Sequence, residues 1–224
     1  MIDSIEFSNI SFGYESKNQV FDKASFSLPL NSWVIVNGEL GSGKSTFVKL
    51  LLGLLTPTGG VISYNKEDIH ELGFEKFSDY LGNIGHVLDG EGLLSNQSLF
   101  ENLSLPLIYH KNMGLTEREE WIEYWLKKFN ILSHKNDRPA FVTEEVKKIV
   151  SILRALILKP EMVLLHNPLN DLSGYNQRRV FEMLDEFEAQ HNLKHIIIAS
   201  DTDIKLPNKN LKTLLLSQGK VNEI

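Results

Sequence analysis

The chain has 224 residues, 42% apolar and 23% charged, the make-up of a globular protein with a sizeable hydrophobic core. Its formal charge is −6, from 23 basic and 29 acidic residues, which argues against a broad nucleic-acid footprint because that needs a basic face. There is no cysteine, so disulfides, thiolate metal sites and cysteine nucleophiles are excluded.

The opening MIDSIEFSNI is acidic and alternating, not a basic segment followed by an apolar run, so no signal peptide is expected. No stretch reaches the ~18–20 apolar residues needed to cross a bilayer. The best candidate, FVKLLLGLL, is too short and contains Lys49. The expected location is therefore cytoplasmic, or on a membrane only through a partner.

In chain order, SIEFSNISF (4–12) and ASFSLPL (24–30) alternate apolar and polar residues and predict strands. SWVIVNG (32–38) is a β-branched run that predicts a strand buried on both faces. An apolar helix, TFVKLLLGLL, is expected to begin near Ser45, with TPTGG as a turn and VISYN as a further strand. Thr116 and Glu119 have the spacing of a capping box before WIEYWLKKF, where Trp121, Ile122, Trp125, Leu126 and Phe129 recur on one helical face.

TEEVKKIVSILRALIL predicts another helix, with Val146, Ile149, Val150, Leu153 and Leu156 on one side and Pro160 beyond its end. MVLLH is a buried strand, 174–191 a helix, and HIIIAS a last buried strand. Strands alternating with helices point to an α/β protein with a mainly parallel sheet. No repeat or linker-like stretch divides the chain, so a single domain over 1–224 is expected.

Between SWVIVNG and the first helix lies GELGSGKST. Gly38, Gly43, Lys44 and Ser45 satisfy G-x-x-x-x-G-K-[ST], with Glu39, Leu40, Gly41 and Ser42 between them and Thr46 after. Glycines let the backbone wrap so that its N–H groups meet phosphate oxygens. Lysine adds a point charge, the helix start adds its positive dipole end, and Ser45 offers a hydroxyl to Mg²⁺. A buried strand before the loop and an apolar helix after it make nucleotide binding the expected function.

With the loop in place, the chain resembles the ABC-type ATPases, the cytosolic nucleotide-binding subunits of ABC transporters, over essentially its whole length. The resemblance rests on FGY with Tyr14, on IGHVLDGEGLLSNQSLFENLSLPLIYH (84–110), and on RAL, KPEMVLL and NPLNDL in the family's order and spacing. It implies a P-loop NTPase fold of ABC type, with a mainly parallel core sheet, an N-terminal antiparallel β part and a helical subdomain over roughly 90–156. It also implies ATP as ligand and Tyr14 as the adenine-stacking aromatic. A membrane permease subunit would contact 84–110, and a second ATP-binding subunit, identical or different, would complete the sites. The location implied is peripheral, on the inner face of the cell membrane. The wording of 84–110 and RPAFVTEEVKKIVSILRAL is most similar to the MCE-associated lipid-transport branch.

Several family positions differ. Where the family ends its strand in Asp-Glu-Pro, this chain has His166-Asn167-Pro168. Asn167 cannot act as the base, and His166 is a poor Mg²⁺ ligand because that ion prefers hard oxygens. Asp89 stands where the family has glutamine, and Asp201 where it has histidine. Val142-Thr143-Glu144-Glu145-Val146 replaces the Leu-Ser-Gly-Gly-Gln signature, and its acidic first turn is expected to repel phosphate. The expectation is ATP binding with little or no hydrolysis and with Mg²⁺ binding weakened to what Ser45 and Asp89 supply. Two alternatives stand beside it: an active transport ATPase using Asp89 and Asp201 as relocated carboxylates, and a scaffold that binds no nucleotide. The pair His191 and His195 in HNLKH straddles a helix end and a strand start, so no metal site is expected there. Trp33, Trp121 and Trp125 are expected to be packing residues.

Overall fold

The computed structural model describes residues 2–14, 19–88, 90, 92–111, 113–202, 204, 209 and 211–223. In chain order, strands β1 (Ile5–Gly13), β2 (Gln19–Ser27) and β3 (Trp33–Asn37) precede helix α1 (Lys44–Leu51). Strands β4 (Gly59–Tyr64) and β5 (Glu67–Asp68), helix α2 (Phe74–Gly82) and strand β6 (Ile84–Val87) follow. Helices α3 (Leu99–Lys111), α4 (Leu115–Lys128) and α5 (Glu144–Leu156) lead to β7 (Met162–His166) and α6 (Gly174–Gln190). Strands β8 (His195–Ser200), β9 (Leu211–Ser217) and β10 (Lys220–Glu223) come last.

The chain forms two compact units. The first comprises Met1–Asn83, Leu164–Asn167 and Lys194–Ile224. It holds an antiparallel sheet in the order β2-β1-β4-β5, with Phe7 paired to Phe26 on one side and Ile62 on the other. It also holds a mainly parallel sheet in which β3 lies between β8 and β9, Ile35 facing Ile198 and Thr213 in register. Val34, Ile35, Val36 and Ile196 through Ala199 are all buried, as an unbroken apolar run requires when both faces of a strand are covered. Phe47 of α1 lies against the rings of Phe7 and Phe26, which ties the helix after β3 to the antiparallel sheet. His195 is a core histidine: its Nδ1 accepts from the Asn31 N–H at 2.8 Å and its Nε2 lies 3.2 Å from the Ile2 carbonyl.

The second unit comprises Ile84–Val163 and Pro168–Leu193. Helix α5 packs so closely on β6 that a Cβ on Gly85 would lie 1.9 Å from the Ala155 carbonyl oxygen. Trp125 of α4 stacks on Phe187 of α6 at 5.0 Å, and Trp121 donates its indole N–H to the Ile157 carbonyl. Trp125 and Trp33 are buried, and Trp121 is half-buried.

Several expectations from sequence are corrected. The capping box at Thr116 is not used: α4 starts two residues earlier than that box implies, at Leu115, with Gly114 as its N-cap in extended conformation. HIIIAS is not the last buried strand, because β9 follows it with Leu214 and Leu216 in the core. The strand expected over 24–30 runs instead from Gln19 to Ser27. Helices α2 and α3 were not legible as helices; α3 carries Pro106, whose missing N–H weakens any helical reading.

Candidate nucleotide-binding site

Strand β3 delivers the chain to the loop 38–43, and α1 carries it away. The loop closes only around glycine at its first position, where a Cβ on Gly38 would lie 2.3 Å from Ser42 Oγ and 2.7 Å from the Leu216 carbonyl oxygen. Gly43, with φ +102°, is the N-cap of α1 and has no side chain to cover the helix's first N–H groups. Those groups lack intrahelical acceptors, which makes the position suited to an anion. The cradle fits a phosphate.

Lys44 folds into this loop and is only 5% exposed. Its ammonium donates to the Gly38 carbonyl at 2.5 Å and the Glu39 carbonyl at 2.9 Å, with Ser42 Oγ at 3.3 Å. It also forms an ion pair with Asp201 Oδ1 at 2.9 Å. Tyr14 is 59% exposed, its ring edge-on to Phe12 and its hydroxyl 3.2 Å from Thr46 Oγ1, which puts it beside the loop's helix. Leu40 projects from the loop, almost fully exposed.

The end of β7 shows what the His-Asn pair does. His166 is buried, with Nε2 3.2 Å from Ser45 Oγ, the hydroxyl expected to face Mg²⁺. Asn167 adopts φ +45°, a conformation asparagine tolerates better than most side chains, and its N–H donates to the Ala199 carbonyl at 2.8 Å. Its side-chain amide then engages Asp201 twice: Nδ2 donates to Oδ2 at 2.8 Å, and Oδ1 accepts from the Asp201 N–H at 2.9 Å. The Lys44 ammonium first, and the Asn167 amide after it, hold the Asp201 carboxyl below the usual carboxylate range against the opposing effect of partial burial. A continuous polar chain thus runs Lys44–Asp201–Asn167. The Asp201 carboxylate beside the phosphate loop is already engaged, by Lys44 through one oxygen and by Asn167 through the other. Asp89, the other expected ligand, lies outside the described residues.

The signature position belongs to the second unit. Thr143 caps α5 as expected, its Oγ1 accepting from the Val146 N–H at 3.3 Å, while Val142 is half-buried and Glu144 pairs with Lys147 at 2.6 Å. Glu145 turns to the start of α6. Its Oε1 accepts from the Ser173 N–H at 2.8 Å, Ser173 Oγ at 2.6 Å and Asn176 Nδ2 at 2.9 Å. These bonds, that of the Ser173 hydroxyl first, lower the Glu145 pKa. Because the folded pKa is depressed, the contribution of Glu145 to stability is complete above the ordinary carboxylate pKa and is lost as pH falls through the folded value. Glu145→Ala should cost about 1 kcal/mol at neutral pH, a figure reduced for solvent screening. Urea unfolding should show the gap between wild type and variant closing as the pH is lowered.

Two of these roles were not foreseen: Asn167 as the clamp of Asp201, and Glu145 as the bridge from α5 to α6. The partners lie 34 and 28 residues apart, and no local pattern links them.

A model of the ABC transporter family matches residues 21–170, which span the phosphate loop, β7 and the His-Asn-Pro end. The chain belongs to the ABC transporter family. Among curated ABC relatives, it is 26% identical to the ABC transporter ATP-binding protein YtrE of Bacillus subtilis, over 86% of this chain and 83% of that one. It is 28% identical to the lipoprotein-releasing system ATP-binding protein LolD of Buchnera aphidicola, covering 84% and 83% of the two chains. It is also 28% identical to the cell division ATP-binding protein FtsE of Haemophilus influenzae, covering 96% and 98%. The fold matches the dimeric bacterial ABC transporter cassette MJ0796 with a TM-score of 0.86, at 22% identity over 98% of this chain and 97% of that one. The post-hydrolysis form of MJ0796, bound to ADP and Pi, matches with a TM-score of 0.85 at 21% identity, covering 98% and 97%. The fold is that of an ABC ATPase cassette, the expected P-loop α/β class.

Proposed function

We propose that this chain is the ATP-binding subunit of an ABC transporter that holds nucleotide in the loop Gly38–Thr46 and hydrolyses it slowly or not at all. One observation carries the reading: the side chain at the family's base position, Asn167, is an amide committed to Asp201, and Asp201 is committed to Lys44. An amide accepts no proton at neutral pH, and losing a positioned base lowers a rate by ~10²–10⁴-fold. With His166 beside Ser45, Mg²⁺ binding would be weakened as well.

The chain is proposed to act as one ABC-type domain with its helical subdomain over roughly 90–156. It would dock peripherally on a membrane permease and pair with a second ATP-binding subunit, identical or different. No such pairing completes a site with the family's full set of groups. One site lacks this chain's base, and the other meets the Val142–Val146 segment, whose acidic residues are bonded within their own unit. Lipid transport is proposed as the process served, on the wording of 84–110 and on the likeness to a lipoprotein-releasing protein.

The test is phosphate release by the purified chain beside a Lys44→Ala control. The expected result is equal, near-background release from both, together with ATP binding by the wild type alone. Sustained release above the control would instead favour an ATPase working through Asp201 and Asp89. Undetectable binding of ATP at millimolar concentration would favour a scaffold.

A further inference from the structure

We infer that Asp201, held by Asn167, is a built-in competitor for the terminal phosphate, which makes the site prefer nucleoside diphosphates to triphosphates. The inference rests on the reading of Gly38–Thr46 as a nucleotide site and goes on to say which nucleotide it selects.

An ammonium has three N–H donors. Those of Lys44 are matched by the Gly38 carbonyl, the Glu39 carbonyl and Asp201 Oδ1, so no donor is left over for a phosphate oxygen unless a partner leaves. The two carbonyls belong to the loop itself. The third partner is a fixed anion.

Two hydrogen bonds to Asn167, one through the side chain of Asp201 and one through its backbone, keep that carboxylate in place. The left-handed turn at Asn167 and its bond to the Ala199 carbonyl fix the clamp in turn, next to β8. Asp201 is therefore not a passing surface contact.

The two ends of a nucleotide tail meet different parts of this site. In a loop of this kind, backbone N–H groups cradle the α- and β-phosphates, and the lysine reaches the β/γ end. The N–H cradle is unaffected by Asp201. The lysine end is occupied by a negative charge where a γ-phosphate would add its own. A diphosphate keeps the cradle and meets little of the repulsion. A triphosphate must either expel a doubly bonded carboxylate or lie against it.

The experiment is calorimetric titration of ATP and ADP, in buffer containing a chelator so that no cation neutralises the phosphates, into wild type, Asp201→Asn and Asn167→Ser. Wild type is expected to bind ADP more tightly than ATP. In Asp201→Asn, whose side chain keeps the size and can still bond to Asn167, the preference should move toward ATP by about tenfold or more, the expectation for removing one close like charge. ADP affinity should change by a smaller factor than ATP affinity, since its β-phosphate is held by the backbone cradle as well as reached by the lysine. Asn167→Ser, which loosens the clamp but keeps the carboxylate, should move the ratio in the same direction by a smaller factor. A ratio that stays put in both variants, or a wild type that already prefers ATP, overturns the inference while leaving nucleotide binding intact. If neither nucleotide binds wild type or variants, the proposed nucleotide-binding function falls and this inference falls with it.

Discussion

Gly38→Ala is expected to abolish nucleotide retention while leaving the protein folded. The added methyl would sit 2.3 Å from Ser42 Oγ and 2.7 Å from the Leu216 carbonyl oxygen, both well inside contact distance. Ser42 could turn away, but Leu216 cannot, because β9 is held in register against β3, with Asn37 opposite Leu215. The loop must move instead, and it carries the backbone N–H groups that would hold phosphate. Losing even two backbone hydrogen bonds to a charged phosphate, at about 1.5–3 kcal/mol each, should lower affinity for ATP and ADP by about 10²-fold or more. Binding titration beside far-ultraviolet circular dichroism checks both halves of the statement. An alanine variant that keeps wild-type affinity would show that the loop does not hold phosphate in the way described.

The largest stability effect is expected in the second unit, at Trp125. This side chain is 1% exposed, stacked on Phe187, and edge-on to Trp121 and Tyr124. Trp125→Ala would leave a cavity among large rings that cannot collapse into it, and should cost about 3–5 kcal/mol. Trp125→Phe should be much milder. It keeps the stack on Phe187 and removes an indole N–H that has no hydrogen-bond partner among the described residues, a group that is itself destabilising when buried. Urea unfolding of the two variants should separate them by about 2 kcal/mol or more. Equal losses would mean that the ring stack contributes little.

The buried strands were legible because their apolar runs are unbroken: WVIV, MVLL and HIII could be little else between turn and helix signals. Helix α5 was legible from both ends, with Thr143 as its cap and a single apolar face ending at Leu156. Helix α3 was not, since Pro106 interrupts it and its apolar residues do not gather on one side. The misplaced start of α4 shows the limit of a spacing rule: Thr116 and Glu119 fit a capping box, yet the extended backbone at Gly114 lets the helix begin sooner.

At the site, the phosphate loop announces itself through glycine spacing, because close backbone approach dictates composition directly. The identities of Asn167, Asp201 and Glu145 were equally plain in the sequence, but their relations were not. A charge at a helix start reads as belonging to that helix. Glu145 instead serves α6, since the folded chain brings Ser173 and Asn176 to it.

The mutual grip of Asn167 and Asp201 makes the two positions depend on each other. An acid placed at 167 would replace the amide donor with a second carboxylate, about 2.8 Å from the first. Two anions at that spacing repel, so such a variant would be less stable as a folded molecule than the parent. Changing 201 alone would release Lys44 from its ion pair and leave the Asn167 amide without its carboxylate acceptor. Each residue therefore limits what the other can become, and a substitution at one is best tolerated when the other changes with it.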